Sequence, residues 1–325
     1  MSGFTALRST AEWAARLGPS AKRAVLSIGN FDGLHLGHQK ILRTVIERAR
    51  SSGAVAAIVT FDPHPVRVLR PTQAPLLLQT LDQRLAGFAA IGLDAALVLP
   101  FDAALAACSA EQFVRDILVH PMRAAAILVG ANFRFGHRQA GDVALLEKLG
   151  RQFDFAVEIL EPVVCDGVVI SSTAIRKAVA DGRVAEAARL MGRPFALTGE
   201  IERGAGRGST VLVPTLNLAP QQELLPGNGV YATETLIGGK LYRSATNIGV
   251  RPTFDGTRRS VESHLFDFSE QITAGPLEVR FWKRLRDERK FSGPEELLRQ
   301  IAADLGQARE FFRQLDLSPA TPQRG

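Results

Sequence analysis

Apolar positions along the first half of the chain switch between two patterns. Short solid runs, AVLSIG (24–29), AVAAIVTFDPHP (54–65), DAALVLPF (94–101), AAAILVG (124–130) and FAVEILEPV (155–163), read as strands covered on both faces. Between them lie stretches with apolar residues three and four apart. HQKILRTVIERARSSG (38–53) carries Ile41, Leu42, Val45 and Ile46 and closes at Gly53. TLDQRLAGFAAIG (80–92) opens on an N-capping Thr80 and ends at Gly92, and SAEQFVRDILV (109–119) pairs Ser109 with Gln112 as a capping box. Strands alternating with helices in this way predict a doubly wound parallel α/β sheet.

From about residue 196 the texture changes. ALTGEIERG, VLVPTLNLA, GVYATETLIGGKLYRSATNIG and VESHLFDF are short strands punctuated by Gly, Pro and Asn, with a Gly238-Gly239 hairpin signal. One long amphipathic stretch follows (293–315), with Pro294 near its start. This half reads as a small antiparallel β-barrel with a C-terminal helix. The expected organisation is a lead-in at 1–23, an α/β domain at 24–185, a linker at 186–195, a barrel domain at 196–316 and a disordered tail at 317–325.

Composition narrows the class. At 325 residues the chain is long enough for two domains, and 22% charged with 46% apolar is ordinary for a globular protein. No apolar run approaches the roughly 18 residues that span a bilayer, and the first residues lack the apolar core of a signal peptide. Two cysteines, Cys108 and Cys165, leave no disulfide framework and no cysteine-rich zinc site. Both are expected as small buried hydrophobes in a cytoplasmic protein. The net charge is +6, and residues 1–195 carry +5 of it. That suits anionic ligands such as nucleotides. The basic residues are dispersed, and the one dense run, RFWKRLRDERK (280–290), is offset by Asp287 and Glu288 and reads as a solvated face, so nucleic acid is not expected as a partner.

Candidate chemistry concentrates where strands end. GNFDGLHLGH (29–38) runs from the first strand into a helix start near His38. Ligands of parallel sheets bind at carboxyl ends of strands, where helix N-termini present free N–H groups to phosphate. His35 and His38 there can donate to phosphoryl oxygens, or three residues apart can share a metal. Asp32 reads as turn-shaping. VGANFRFGHRQAGD (129–142) follows another strand, with Asn132 placed to read a base or ribose and Arg134 to meet phosphate, although a plain loop accounts for it as well. ISSTAIR (170–176) caps a helix whose first turn carries Arg176.

These motifs together, with FDPHP (61–65) and GRP (192–194), resemble the bacterial bifunctional riboflavin kinase/FMN adenylyltransferase family over about residues 24–310. G-x-F-D-G-x-H-x-G-H is similar to the nucleotidylyltransferase signature, whose histidines stabilise the departing pyrophosphate. In the second half VPTLNL (213–218) resembles the family's P-T-x-N motif, and TNIGVRPTF (246–254) and SVESHLFDF (260–268) resemble its kinase module. The resemblance implies phosphorylation of riboflavin to FMN by ATP, then adenylylation of FMN to FAD. It implies Glu262 as base for the riboflavin hydroxyl, and His35 and His38 as the groups of adenylyl transfer. Gly29, Phe31, Asn132, Ser171, Thr173, Arg176, Gly204, Arg207 and Gly208 are implied at ATP or its phosphates. Phe61, Pro63 and Arg251 are implied at flavin, and Thr215 and Asn217 at Mg²⁺. The homo-oligomeric state stays open. Departures are Leu212, Val213 and Leu216 in the segment GRGSTVLVPTLNL, Ser209 where a basic residue is frequent, and Ala174 where Arg is frequent. The competing readings are a single-function nucleotidylyltransferase with an impaired barrel, a nucleic-acid binder and a zinc hydrolase.

Overall fold

The computed structural model describes residues 3–17, 22–202, 214–253, 256–270 and 272–317, with the main chain alone at 251–253 and 256–258. It divides into two compact units, one ending at Ser172 and one beginning at Thr173.

The first unit comprises β1 (Thr5–Leu7), α1 (Thr10–Leu17), β2 (Ala24–Ile28), α2 (Leu36–Ser52), β3 (Val55–Asp62), α3 (Pro65–Leu69), α4 (Leu81–Ile91), β4 (Ala95–Pro100), α5 (Ala103–Ala107), α6 (Ala110–Phe113), β5 (Ala124–Gly130), α7 (Val143–Phe153), β6 (Ala156–Leu160) and the hairpin β7 (Val164–Cys165) and β8 (Val168–Val169). Six strands form a parallel sheet in the order β1-β4-β3-β2-β5-β6. The chain builds outward from β2 through β3 and β4, then returns to β2's other side with β5. The switch point therefore lies between β2 and β5. Side chains alternate across the sheet: Leu26, Val59 and Leu97 pack one core with Trp13 and Leu146, while Val25, Ile58 and Val98 pack the other with Leu42 and Phe88. All five residues of β2 are buried, which is why this strand reads as a solid apolar run.

Helix ends follow the sequence signals. Thr80 and Gln83 close a reciprocal capping box at 3.2 and 3.0 Å, as Ser109 and Gln112 do at 3.1 and 3.0 Å. Gly53 and Gly92 terminate α2 and α4 in the left-handed region. Four details differ from the sequence expectation. The lead-in, read as partly helical, does hold a helix, α1, whose Trp13 is buried, but it also supplies β1, which pairs with β4; three residues are too few to show alternation. Helix α2 starts at Leu36, so His35 is its cap. After α6 the helical path widens into a π-helix at Val114–Val119, where the His120 N–H reaches the Arg115 carbonyl at 3.0 Å. Neither cysteine is fully buried: both are half-buried, Cys108 as the C-cap of α5 and Cys165 in the short hairpin strand β7.

The second unit comprises α8 (Ser172–Ala180, whose first residue closes the first unit), α9 (Val184–Met191), β9 (Phe195–Glu202), β10 (Leu216–Pro220), β11 (Gly229–Ile237), β12 (Lys240–Thr253), β13 (Gly256–Leu265), β14 (Pro276–Arg286) and α10 (Pro294–Leu317). The six strands close a barrel in the order β10-β13-β12-β11-β14-β9, each contact antiparallel. Gly238 and Gly239 both take positive φ in the β11–β12 turn, as a tight primed turn requires. Helix α10 buries Ala308 and Phe312 against Ala232 and Ala245 on the barrel's outside. The tail 318–325 lies outside the described residues.

The barrel interior is apolar on the β9 and β14 side, with Phe195, Leu197, Val279 and Phe281 buried. Through β11, β12 and β13 it carries hydroxyls as well, beside the buried Tyr231, Ile248 and Val261. Thr235 and Thr233 each meet Ser244 at 2.8 Å, Thr233 meets Thr246 at 2.7 Å, and Thr246 meets Ser263 at 2.7 Å. Ser244 also donates to the Thr233 carbonyl at 3.0 Å. All five side chains are buried. A buried hydroxyl is tolerated only when bonded, so the set stands or falls together. Thr246→Val keeps the shape and removes the middle link; it should cost about 1–3 kcal/mol in urea unfolding of the barrel. An unchanged midpoint would show that the links are dispensable.

Candidate active sites

The loop after β2 is unusually bent. Phe31, Gly33 and Leu34 take φ of 51°, 86° and 42°. For Phe and Leu this region costs about 1–3 kcal/mol each, so the surroundings must impose it. The buried Asp32 carboxylate does so. It accepts from Leu78 N at 3.1 Å and from Gln79 N at 3.1 Å, tying the loop to the segment before α4. The Asp32 carbonyl accepts from Ser172 Oγ at 2.8 Å. Asp32 is thus more than turn-shaping: it joins three segments.

That bend delivers the two histidines. His35 is buried and caps α2; its Nδ1 accepts the His38 main-chain N–H at 3.2 Å. This fixes the neutral ring's proton on Nε2. The two imidazoles stack with centroids 3.6 Å apart and planes 19° from parallel, and Phe31 meets His38 edge-on at 5.2 Å. Gly37 lies between them, where a Cβ would stand a tight 3.2 Å from His35 Cε1 and Nδ1 and press on that ring. Among the described residues no group of three or more His, Cys, Asp or Glu stands together as a metal cluster.

Gly29 follows β2, and a Cβ there would meet the Phe31 ring at 3.4 Å, an ordinary van der Waals contact. Phe61 and Asp62 end the neighbouring β3, half-buried, and Pro63 is exposed. Asn132 and Arg134 are exposed on the loop after β5, beside the same switch point. They line a cavity of about 220 Å³ with Phe133, Asp142 and Val143, and Arg134 pairs with Asp142 at 3.4 Å. Ser171 is half-buried directly before α8, while Thr173 and Arg176 fall on α8 in the second unit. A larger cavity of about 610 Å³ lies at the opposite, amino ends of β5 and β6, lined by Arg23, Glu147, Arg151 and Asp154, and holds none of the expected residues.

In the barrel the candidates align across strands. Asn217 on β10 is directly opposite Glu262 on β13 and, on its other side, Glu202 on β9; Glu262 is opposite Asn247 on β12. Directly opposed residues share a face, so Glu202, Asn217, Glu262 and Asn247 form one row outside the barrel. Ser260 Oγ donates to Glu262 Oε1 at 2.9 Å and orients the carboxylate. Asn217 Oδ1 is buried and meets no hydrogen-bond donor among the described residues. Thr215 is exposed one residue ahead of β10, and the preceding Pro214 carbonyl accepts from His264 Nδ1 at 2.8 Å, which fastens this end to β13. Gly204, Arg207 and Gly208, with Ser209, Leu212 and Val213, lie outside the described residues. Arg251 is in β12 by its main chain. Sequence reasoning singled out neither Asn247, Glu202 nor His264; a period of two along each strand marked their faces, but not which residues meet.

The same two units are matched by two family profiles. One described as FAD synthetase matches residues 18–174, and one described as riboflavin kinase matches residues 191–312. The protein described as bifunctional riboflavin kinase/FMN adenylyltransferase from Escherichia coli K12 is 38% identical, over 89% of this chain and 92% of its own length. The chain belongs to the bifunctional riboflavin kinase/FMN adenylyltransferase family. Another member, from Haemophilus influenzae, is 34% identical over 88% of this chain and 94% of its own length. A solved structure described as a macrolide-efflux protein from Streptococcus pneumoniae is similar throughout, with TM-score 0.83, 29% identity and coverage of 94% of this chain and 98% of that one. No helix among the described residues is long and apolar enough to cross a membrane. For this family member the anchor of the first site is open to direct test. Asp32→Ala strips the acceptors from two main-chain N–H groups and should lower the stability of the first unit by about 3 kcal/mol. Urea unfolding followed through Trp13 checks this, and an unshifted transition would release Asp32 from the role.

Proposed function

We propose that this chain makes FAD from riboflavin in two ATP-dependent steps, one in each unit. The observation that carries the reading is that each family profile coincides with one built site: the stacked histidines at the β2 switch point, and the cross-strand row around Glu262.

In the barrel, Glu262 takes the proton of the riboflavin 5′-hydroxyl as that oxygen attacks the γ-phosphorus of ATP; ADP leaves and FMN forms. Ser260 holds the carboxylate for this proton transfer. Asn217 Oδ1, buried without a donor among the described residues, together with the Thr215 hydroxyl fits a hard cation such as Mg²⁺. Mg²⁺ held there would supply positive charge to the nucleotide phosphates. The departures Leu212, Val213 and Leu216 flank Thr215 and Asn217 but leave both in place.

In the first unit an FMN phosphate oxygen attacks the α-phosphorus of ATP, and the bond to the β-phosphate bridge breaks to release pyrophosphate. His35 Nε2–H and the His38 ring stabilise the charge that gathers on the leaving group, and the positive end of the α2 dipole adds to it. Asn132 is assigned to the nucleoside, Gly29, Phe31, Ser171, Thr173 and Arg176 to the ATP phosphates, and Phe61 and Pro63 to the flavin. Arg251, Gly204, Arg207 and Gly208 keep their sequence-based assignments to flavin and ATP. A cytoplasmic setting fits the two unpaired cysteines, and the scattered basic residues favour nucleotides over nucleic acid.

Incubation with riboflavin and MgATP, with FMN and FAD separated over time, tests the whole reading: FMN should appear first and FAD after it. Glu262→Ala should lower FMN formation by about 10²–10⁴-fold and still convert supplied FMN to FAD. Equal loss of both activities would break the division of labour. His38→Ala should do the reverse, accumulating FMN with FAD formation down about 10²–10³-fold. Normal FAD output from that variant would remove the histidine pair from catalysis.

A further inference from the structure

The geometry points to Arg84 as a positioning residue for adenylyl transfer, one guanidinium that sets the phosphate-side and flavin-side segments against each other. Arg84 lies on α4, where sequence pattern shows only a polar position within an amphipathic helix. Its side chain is nevertheless 4% exposed. Nη1 donates to the Asn30 carbonyl at 2.9 Å, to Thr60 Oγ1 at 3.2 Å and to the Phe61 carbonyl at 3.5 Å. Nη2 donates to the Phe61 carbonyl at 3.4 Å and stands 4.0 Å from Asp62 Oδ1. Thr60 Oγ1 itself donates to the Asn30 carbonyl at 3.4 Å.

Asn30 opens the bent loop that carries His35 and His38. Phe61 and Asp62 end β3 and open FDPHP. These segments leave different strands, and their relation is set by one planar fork of donors whose spacing does not flex. Lysine has a single flexible point of donors and cannot hold both carbonyls in one plane. The guanidinium also leaves a cation beneath a loop that handles anions. Burial pushes its pKa down, and Asp32 and Asp62 oppose that shift. An arginine stays charged under such pressure.

The inference rests on the assignment of the His35–His38 site to adenylyl transfer, and the test separates the two. Full-length wild type, Arg84→Lys and Arg84→Ala are assayed for FMN formation from riboflavin and, separately, for FAD formation from supplied FMN. Misplacing the loop by about 1 Å should lower kcat for FAD formation about 100-fold in Arg84→Ala and about tenfold in Arg84→Lys, with FMN formation within about twofold of wild type. Millimolar guanidinium chloride should restore part of the lost FAD activity to Arg84→Ala. Guanidinium is a denaturant, so it cannot rescue a unit that is merely destabilised. Full FAD activity in Arg84→Ala overturns the inference. So does a loss that neither lysine nor guanidinium repairs, since that marks a structural role only. If Arg84→Ala does not fold, Thr60→Val decides: it keeps the guanidinium and removes one acceptor. A several-fold lower kcat at a KM for ATP within about twofold supports the inference, and unchanged constants overturn it. Failure of wild type to convert FMN to FAD would overturn the underlying assignment and not Arg84's place within it.

Discussion

A single buried carboxylate holds the first site in its shape. The loop at 31–34 is bent through three positive-φ residues, two of which carry side chains that resist it. Left alone such a loop would relax, and the histidine pair with it. Asp32 prevents this by giving its charge to two main-chain N–H groups 46 and 47 residues away. Hydrogen bonds to a buried anion are among the stronger ones available to a chain. Everything downstream, the His35 cap, the stacked rings and the start of α2, inherits its position from that anchor.

Much of the first unit is legible in the sequence, since its signals are local. Capping boxes at Thr80 and Ser109, the closing Gly53 and Gly92 and the solid apolar strands each involve residues within a few positions of one another. The H-x-G-H spacing likewise shows two imidazoles one helical turn apart. Pattern does not show that His35 faces back to cap the helix, nor that the rings stack, because both depend on the bend before them. Asp32 and Arg84 are invisible for the same reason at larger scale. Their partners are dozens of residues distant, and nothing in a local window distinguishes a carboxylate that shapes its own turn from one that anchors another segment. The edge strand β1 escapes notice through brevity, at three residues.

The barrel divides differently. A period of two identifies which residues face outward on each strand, but the register between strands is a property of the closed sheet. Asn217 and Glu262 could be found one at a time by resemblance to a family motif. That they sit opposite each other, flanked by Glu202 and Asn247, emerges only when β9, β10, β13 and β12 are hydrogen-bonded in order. His264 belongs to the same class: its link to the Pro214 carbonyl ties a motif on one strand to a motif 50 residues away.

The hydroxyl set inside the barrel has a direction. A carbonyl only accepts, so Ser244 spends its one proton on the Thr233 oxygen. Thr233 and Thr235 must then both give theirs to Ser244. Thr233 having done so, Thr246 must donate to it, and Ser263 in turn to Thr246. Five rotors are thereby frozen in one sense, ending on main chain. Such a line is an insulator: moving a proton along it would require every hydroxyl to turn at once against a carbonyl that cannot reciprocate. On the proposed chemistry, a proton taken by Glu262 is not passed to this set and leaves by the outer face on which that carboxylate lies.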